Sequence, residues 1–186
     1  MVFENPPMNR RQLLRQAAAL PAILASSVGA QGDFWRQPRS IWLQRMTHLG
    51  REEVKAVYFA DGRVVADGYL AACRLLRDVR AGQAVQMSVV LLDILCGIQG
   101  FLRAYGHSIP LLTTSGYRSP ATNASIEGAV RSSMHIQGRA WDGRMQGVPA
   151  DLLARIATYL QGGGVGLYQG RGFLHVDDGR LRFWRG

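Results

Sequence analysis

Hydrophobic and polar positions alternate in a way that divides the chain beyond residue 40 into short segments. Residues 41–48 and 54–59 are β-rich runs separated by Leu49-Gly50-Arg51-Glu52-Glu53, which predicts a hairpin. Asp61-Gly62 marks a turn. Residues 67–80 predict a helix with Leu70, Cys73, Leu76 and Val79 on one face, stopped by Ala81-Gly82. Ser88 predicts the cap of a second helix running to about Tyr105, with Leu91, Leu95, Ile98, Leu102 and Tyr105 inward and Gly106 at its end. A strand is expected at 109–114, then a polar, Gly- and Ser-rich stretch over 115–137 with a weak helix near 120–127, then a strand at 139–145. Residues 149–160 predict a third helix, with Leu152, Leu153, Ile156 and Leu160 inward and Gly162-Gly163-Gly164 as its stop. Three short strands are expected at 165–168, 173–177 and 181–184. Helices followed by antiparallel strands on tight turns predict an α+β fold, a small antiparallel sheet with flanking helices.

The 186 residues are 47% hydrophobic and 19% charged, the balance of an ordinary globular chain and not of a disordered one. No apolar run reaches the ~18–20 residues of a membrane span, so no stable span is expected in the mature form. Two cysteines exclude a four-Cys zinc cluster and a disulfide scaffold. Cys73 and Cys96 can pair in an oxidising compartment, or serve as small core residues. The formal charge of +9 suits an anionic partner such as cell-wall polymer or a phospholipid surface. Nucleic acid is not expected as a partner, because the arginines form no dense patch.

Residues 1–30 are expected to be an export address. Arg10 and Arg11 stand before Leu13-Leu14 and an apolar stretch over 17–25, and Val28-Gly29-Ala30 has the small-residue spacing of a signal-peptidase site. That is the layout of a twin-arginine signal, which implies the twin-arginine translocase as a partner and the periplasm as destination. Cleavage after Ala30 is expected, and Met8 is an alternative start. Residues 31–40 read as a flexible lead into a domain at 41–186.

The polar middle contains Ser133-Met134-His135-Ile136-Gln137-Gly138-Arg139-Ala140-Trp141-Asp142, and the last third contains Phe173-Leu174-His175-Val176-Asp177. Two imidazoles and one carboxylate suit zinc, and a catalytic zinc takes three protein ligands and keeps one position open. His135, Asp142 and His175 supply that count. Phe173, His175 and Asp177 share one face of their strand. By spacing alone, a capped helix end, a core histidine and a turn aspartate account for the same residues.

These motifs, taken in order, resemble those of the M15-type zinc peptidases. S-G-Y-R-S-P (115–120), Asn123, S-x-H-x-x-G-x-A-x-D (133–142), G-V-G-L-Y (164–168) and F-L-H-V-D-D-G-R-L-R-F-W (173–184) carry the likeness, with T-H-L-G (47–50) and L-R-D-V-R (76–80) extending it over nearly all of 40–186. The chain is most similar to an exported murein endopeptidase subgroup, once described as a domain of unknown function. The resemblance implies the compact fold shared with D-Ala-D-Ala peptidases and the hedgehog signalling domain. It implies one zinc ion on His135, Asp142 and His175, with Arg118 facing the substrate. It also implies hydrolysis of peptide cross-links of peptidoglycan, between two meso-diaminopimelates or between D-Ala and meso-diaminopimelate.

Arg118 is a fixed donor for an oxyanion or a substrate carboxylate, or a brace for its loop. Ser133 bonds a site group or caps a turn. Several relatives have a Glu three residues before the last ligand, where this chain has Gly172; others have a His two residues before it, where this chain has Phe173. Asp177 is the remaining acid on that face, either as general base or as a carboxylate orienting a ligating histidine. Trp141 replaces the usual smaller aliphatic residue beside Asp142. Phe183 and Trp184 read as core rather than as a substrate platform, and His48 and His107 as surface or loop residues. A non-catalytic zinc-stabilised cell-wall binding module and a murein carboxypeptidase are the rival readings.

Overall fold

The computed structural model describes residues 34–186. The export address lies outside the described residues. Eight strands form one sheet in the order β3-β2-β1-β4-β5-β7-β6-β8. They are β1 (Arg39–Thr47), β2 (Gly50–Ala60), β3 (Arg63–Val64), β4 (Leu111–Ser115), β5 (Ala140–Met145), β6 (Gly164–Tyr168), β7 (Phe173–Asp177) and β8 (Arg182–Arg185). The helices are α1 (Ala66–Leu75), α2 (Val89–Ala104), α3 (Pro120–Ala124) and α4 (Ala150–Tyr159).

The fold is α+β, but the sheet is neither small nor wholly antiparallel. β1 runs parallel to β4 and β6 parallel to β8, while the other five pairings are antiparallel. Both parallel pairs join segments distant in sequence, so no tight turn announces them.

The expected hairpin forms, with a shorter connection than the sequence suggested. Thr47 pairs with Gly50, so Arg51, Glu52 and Glu53 already belong to β2. Part of the expected flexible lead is ordered: Arg39 and Ser40 begin β1, and the Arg39 guanidinium sits 4.0 Å from the Phe59 ring centroid and 2.6 Å from Asp93. α1 is the clearest departure. It stops at Leu75, five residues early, and Leu70 is 46% exposed while Ala72, Cys73, Leu75 and Leu76 are buried. The chain beyond it turns because Asp78 and Gln83 exchange backbone hydrogen bonds of 2.8 and 3.1 Å.

α2 begins as expected: the Ser88 side chain accepts from the Leu91 amide. Leu91, Leu92, Ile94, Leu95, Ile98 and Leu102 of α2 are buried with Leu152, Leu153 and Ile156 of α4. Leu111, Trp141, Val165, Leu167, Leu174 and Val176 belong to the same core. Trp141 is fully buried, and its indole N–H donates to Thr113 Oγ1 at 3.0 Å, so the large ring keeps its polar atom satisfied. Cys73 and Cys96 are free buried thiols, and burial raises both pKa values. No described helix is long and apolar enough to cross a membrane.

Candidate metal centre

Residues of alternating parity along β5, β7, β6 and β8 point to opposite faces of the sheet. Trp141, Val176, Leu174 and Val165 enter the core, so Asp142, His175 and Asp177 project from the other side. The register aligns them: Ser115 of β4 pairs with Asp142, Asp142 with His175, His175 with Gly166, and Gly166 with Trp184. Two centre residues, His175 and Asp142, thus lie in adjacent strands at the same level. His135 comes from outside the sheet, on the 3-10 turn Met134–Gln137.

The loop after β4 fixes that turn. The Arg118 amide donates to His135 O at 3.2 Å, and the Tyr117 amide to Leu76 O at 2.8 Å. Further along, Asp78 receives the Ser119 amide on Oδ2 at 2.8 Å. The same carboxylate receives the Arg80 and Ala81 amides on Oδ1. Ser133 caps the 3-10 turn, its Oγ accepting from the His135 amide at 3.3 Å.

His135, Asp142 and His175 come together, with one ligand atom from each lying within 4.8 Å of the others. His135 Nε2 lies 3.2 Å from Asp142 Oδ1, and His175 Nδ1 lies 2.7 Å from the same oxygen. The donor set suits zinc, and two further observations support the fit. His135 Nδ1 is 2.6 Å from the Gly116 carbonyl, so that nitrogen carries the proton. Nε2 is then left with its lone pair, and it is buried with no hydrogen-bond partner. His175 stands between two carboxylates: Nδ1 is 2.7 Å from Asp142 Oδ1 and Nε2 is 3.0 Å from Asp177 Oδ2, which orients the ring toward the cluster.

The electrostatics follow from these contacts. Burial pushes the Asp142 carboxyl up, but the two imidazoles packed against it, His135 and His175, outweigh that and hold the group below the usual carboxylate range. Burial lowers the His175 imidazole, and the bonds to Asp142 and Asp177 outweigh that, so the net shift is upward. Burial also raises Asp177, and bonds from His175, Arg182 and the Gly179 amide bring it below its ordinary value. The Arg118 guanidinium ion-pairs with Asp142 Oδ2 and donates through Nε to Ser115 Oγ at 2.8 Å.

Asp177 is fully buried and fully engaged. Oδ1 accepts from Gly179 N at 2.8 Å, Gly164 N at 3.4 Å and Arg182 Nη1 at 3.0 Å; Oδ2 meets Arg182 Nη2 at 2.5 Å and His175 Nε2. Gly172 closes the 3-10 turn Gln169–Arg171 with φ +65°, a left-handed conformation in which a Glu side chain is strained. His48 and His107 lie away from the centre, in the β1–β2 turn and after α2.

The sequence reading missed Arg182 and misplaced Trp184. Arg182 clamps Asp177 through both guanidinium nitrogens, and the Trp184 ring lies 5.2 Å from that of His175. Phe183 is 48% exposed and Trp184 half-buried, so neither is the core residue expected. The parity of Arg182 and Trp184 along β8 is the signal that was present: both face the side that carries Asp177 and His175.

An α+β domain that brings two imidazoles and one carboxylate within 4.8 Å of one another presents the donor set of a metal-binding hydrolase. A family model described as peptidoglycan L,D-endopeptidase MepK matches residues 35–184, and the chain belongs to that family. It is 34% identical over 182 residues to the peptidoglycan L,D-endopeptidase MepK of Escherichia coli K12, covering 95% of this chain and 97% of that protein. The Shigella flexneri protein of the same name matches equally over the same length. A probable peptidoglycan L,D-endopeptidase MepK of Haemophilus influenzae is 38% identical over 116 residues, 60% of this chain and 61% of that protein.

Proposed function

We propose that this chain is a zinc-dependent endopeptidase that hydrolyses peptide cross-links of peptidoglycan in the periplasm, after export through the twin-arginine translocase. The observation that carries the zinc reading is the convergence of one ligand atom each from His135, Asp142 and His175 within 4.8 Å, with His135 Nε2 buried, without a hydrogen bond and 3.2 Å from Asp142 Oδ1. Family membership supports the substrate class, and the twin-arginine layout around Arg10 and Arg11 supports the route.

His135, Asp142 and His175 would hold the ion. Zinc supplies a Lewis acid that lowers the pKa of water toward ~7 and polarises a carbonyl. The chain's own residues do the rest. Gly116 O holds the His135 proton on its outer nitrogen, and Asp177 orients the His175 ring. Arg118 has two of its donor groups engaged, by Ser115 and Asp142; its remaining N–H groups are the donors for the scissile oxygen as it gains charge. Asp177 acts as a positioning carboxylate rather than as the general base, since burial and five N–H contacts leave it no oxygen free for water. Ser133, engaged as a cap, acts through the placement of His135 rather than on substrate.

The full engagement of Asp177, with Gly172 where relatives have an acid, favours one second reading: a zinc-stabilised cell-wall binding module. Purified protein incubated with defined muropeptide dimers separates the two. Cleavage to monomers that stops with chelator and returns with zinc is the result expected. Binding to sacculi by zinc-loaded protein that cuts nothing establishes the module, and release of a terminal amino acid establishes a carboxypeptidase.

A further inference from the structure

A strip of aromatic rings leads from the metal centre through Trp184 of β8, over which the Arg182 guanidinium lies 4.9 Å from the ring centroid, to the turn between β6 and β7. Trp184 stands in the same cross-strand row as Asp142 and His175, separated from His175 by Gly166 of β6. The absence of a side chain at Gly166 is what lets the indole lean inward. A Cβ there would stand 2.5 Å from Trp184 Cε2 and Cζ2. The ring therefore crosses β6 to reach His175, and its N–H donates to Tyr168 Oη at 3.2 Å, which fixes its tilt. Tyr168 stacks on Phe173 with ring centroids 4.6 Å apart and planes 9° from parallel. Over this pair lies the Arg171 guanidinium, 4.9 Å from the Tyr168 ring and 5.3 Å from the Phe173 ring. Arg171 is exposed and forms no ion pair among the described residues. Its aromatic bed keeps the cation in place while leaving its edge open to an anion.

Apolar surface next to the reacting atoms, ending in an uncompensated cation, fits one kind of ligand: a peptide with an aliphatic side chain near the scissile bond and a free carboxylate one or two residues away. We propose that Trp184, Tyr168 and Arg171 form the subsite that seats a stem peptide of cross-linked peptidoglycan. Trp184 packs on the aliphatic part of the residue beside the cleaved bond, and Arg171 pairs with a stem carboxylate. The proposal rests on the endopeptidase reading above. It makes Trp184 a specificity-determining residue, in contrast to a residue that only buttresses His175.

The test uses the full zinc-loaded chain, the variants Trp184→Ala, Trp184→Phe and Arg171→Gln, and two synthetic cross-linked dimers, one with free stem carboxylates and one amidated. Trp184→Ala is expected to raise KM roughly five- to tenfold with kcat nearly unchanged, and Trp184→Phe to restore most of the loss. Arg171→Gln is expected to raise KM roughly two- to fivefold on the free-carboxylate dimer and not on the amidated one. Zinc affinity, measured by competition with a chromogenic chelator, stays at the wild-type value in all three. A fall in zinc affinity or in kcat at constant KM for both Trp184 variants assigns Trp184 to His175 alone and overturns the subsite. Equal effects of Arg171→Gln on the two dimers overturn the carboxylate pairing. Calorimetric binding of the same dimers to metal-free protein separates this proposal from the reading beneath it. If the wild type binds but does not cut, the variants still have to weaken binding by the same factors, and unchanged dissociation constants sink the subsite.

Discussion

The two faces of strands β5, β7 and β6 obey different rules. On the core face, Trp141, Val176, Leu174, Val165 and Leu167 pack with α2 and α4. Their contribution is area removed from water, which tolerates repacking. On the opposite face, Asp142, His175 and Asp177 are held by hydrogen bonds and ion pairs, each with a defined partner atom. Adjacent residues of one strand therefore do unrelated work: Trp141 stabilises the fold and Asp142 builds the centre. Damage to the first face should be read in unfolding, and damage to the second in chemistry with the fold intact.

Trp141→Ala gives the largest expected effect. It removes a fully buried ring and leaves Thr113 Oγ1 without its donor, and it should lower stability by about 3–5 kcal/mol in denaturant melts. A loss below about 1 kcal/mol means the face collapses around the gap and the contrast is weaker than drawn. Arg118→Ala should lower kcat on a muropeptide dimer by roughly 10²–10³-fold at unchanged melting temperature. A change confined to KM moves Arg118 from the reacting oxygen to substrate docking. Asp177→Asn should weaken zinc binding by roughly 10–100-fold, read by chelator competition, with cleavage recovering at saturating zinc. Cleavage that stays lost at full zinc occupancy restores Asp177 as a proton acceptor.

Asp78 sharpens the comparison from the side of the loop. Burial raises its carboxyl, but hydrogen bonds from Thr122, Ser119 and Ala81 outweigh that and hold it at about 2. A group depressed on folding contributes stability that is present above its ordinary value near pH 4 and is lost as pH falls toward 2. Asp78→Asn should remove the corresponding slope from a plot of stability against pH. An identical slope in the variant assigns the acid sensitivity to other carboxylates.

Local signals carried most of what the sequence disclosed. The Ser88 cap, the bounds of β7 and the run from Ser133 to Asp142 depend on neighbours within a few residues. Such patterns are written into contiguous sequence. The parallel pairings of β1 with β4 and β6 with β8 depend on chain segments far apart, and nothing local encodes them. Leu70 was placed inward by helical period, yet the helix is short and its buried side is set by Ala72, Cys73 and Leu75. Trp184 was read as core rather than as a substrate platform. The absent side chain of Gly166, two strands away from Asp142, gives that ring its position. His135, Asp142 and His175 were legible as candidates, but the Gly116 carbonyl and the Arg182 clamp that orient and brace them were not, since backbone acceptors and cross-strand partners leave no motif.

Cys73 and Cys96 carry a consequence for how the core is held closed. Both sulfurs are enclosed in the apolar interior, and burial keeps them in the unreactive thiol form. Neither strand order nor the metal cluster calls on a sulfur–sulfur bond. The described fold consequently closes its core without a disulfide, and both sulfurs are part of its packing rather than a covalent brace.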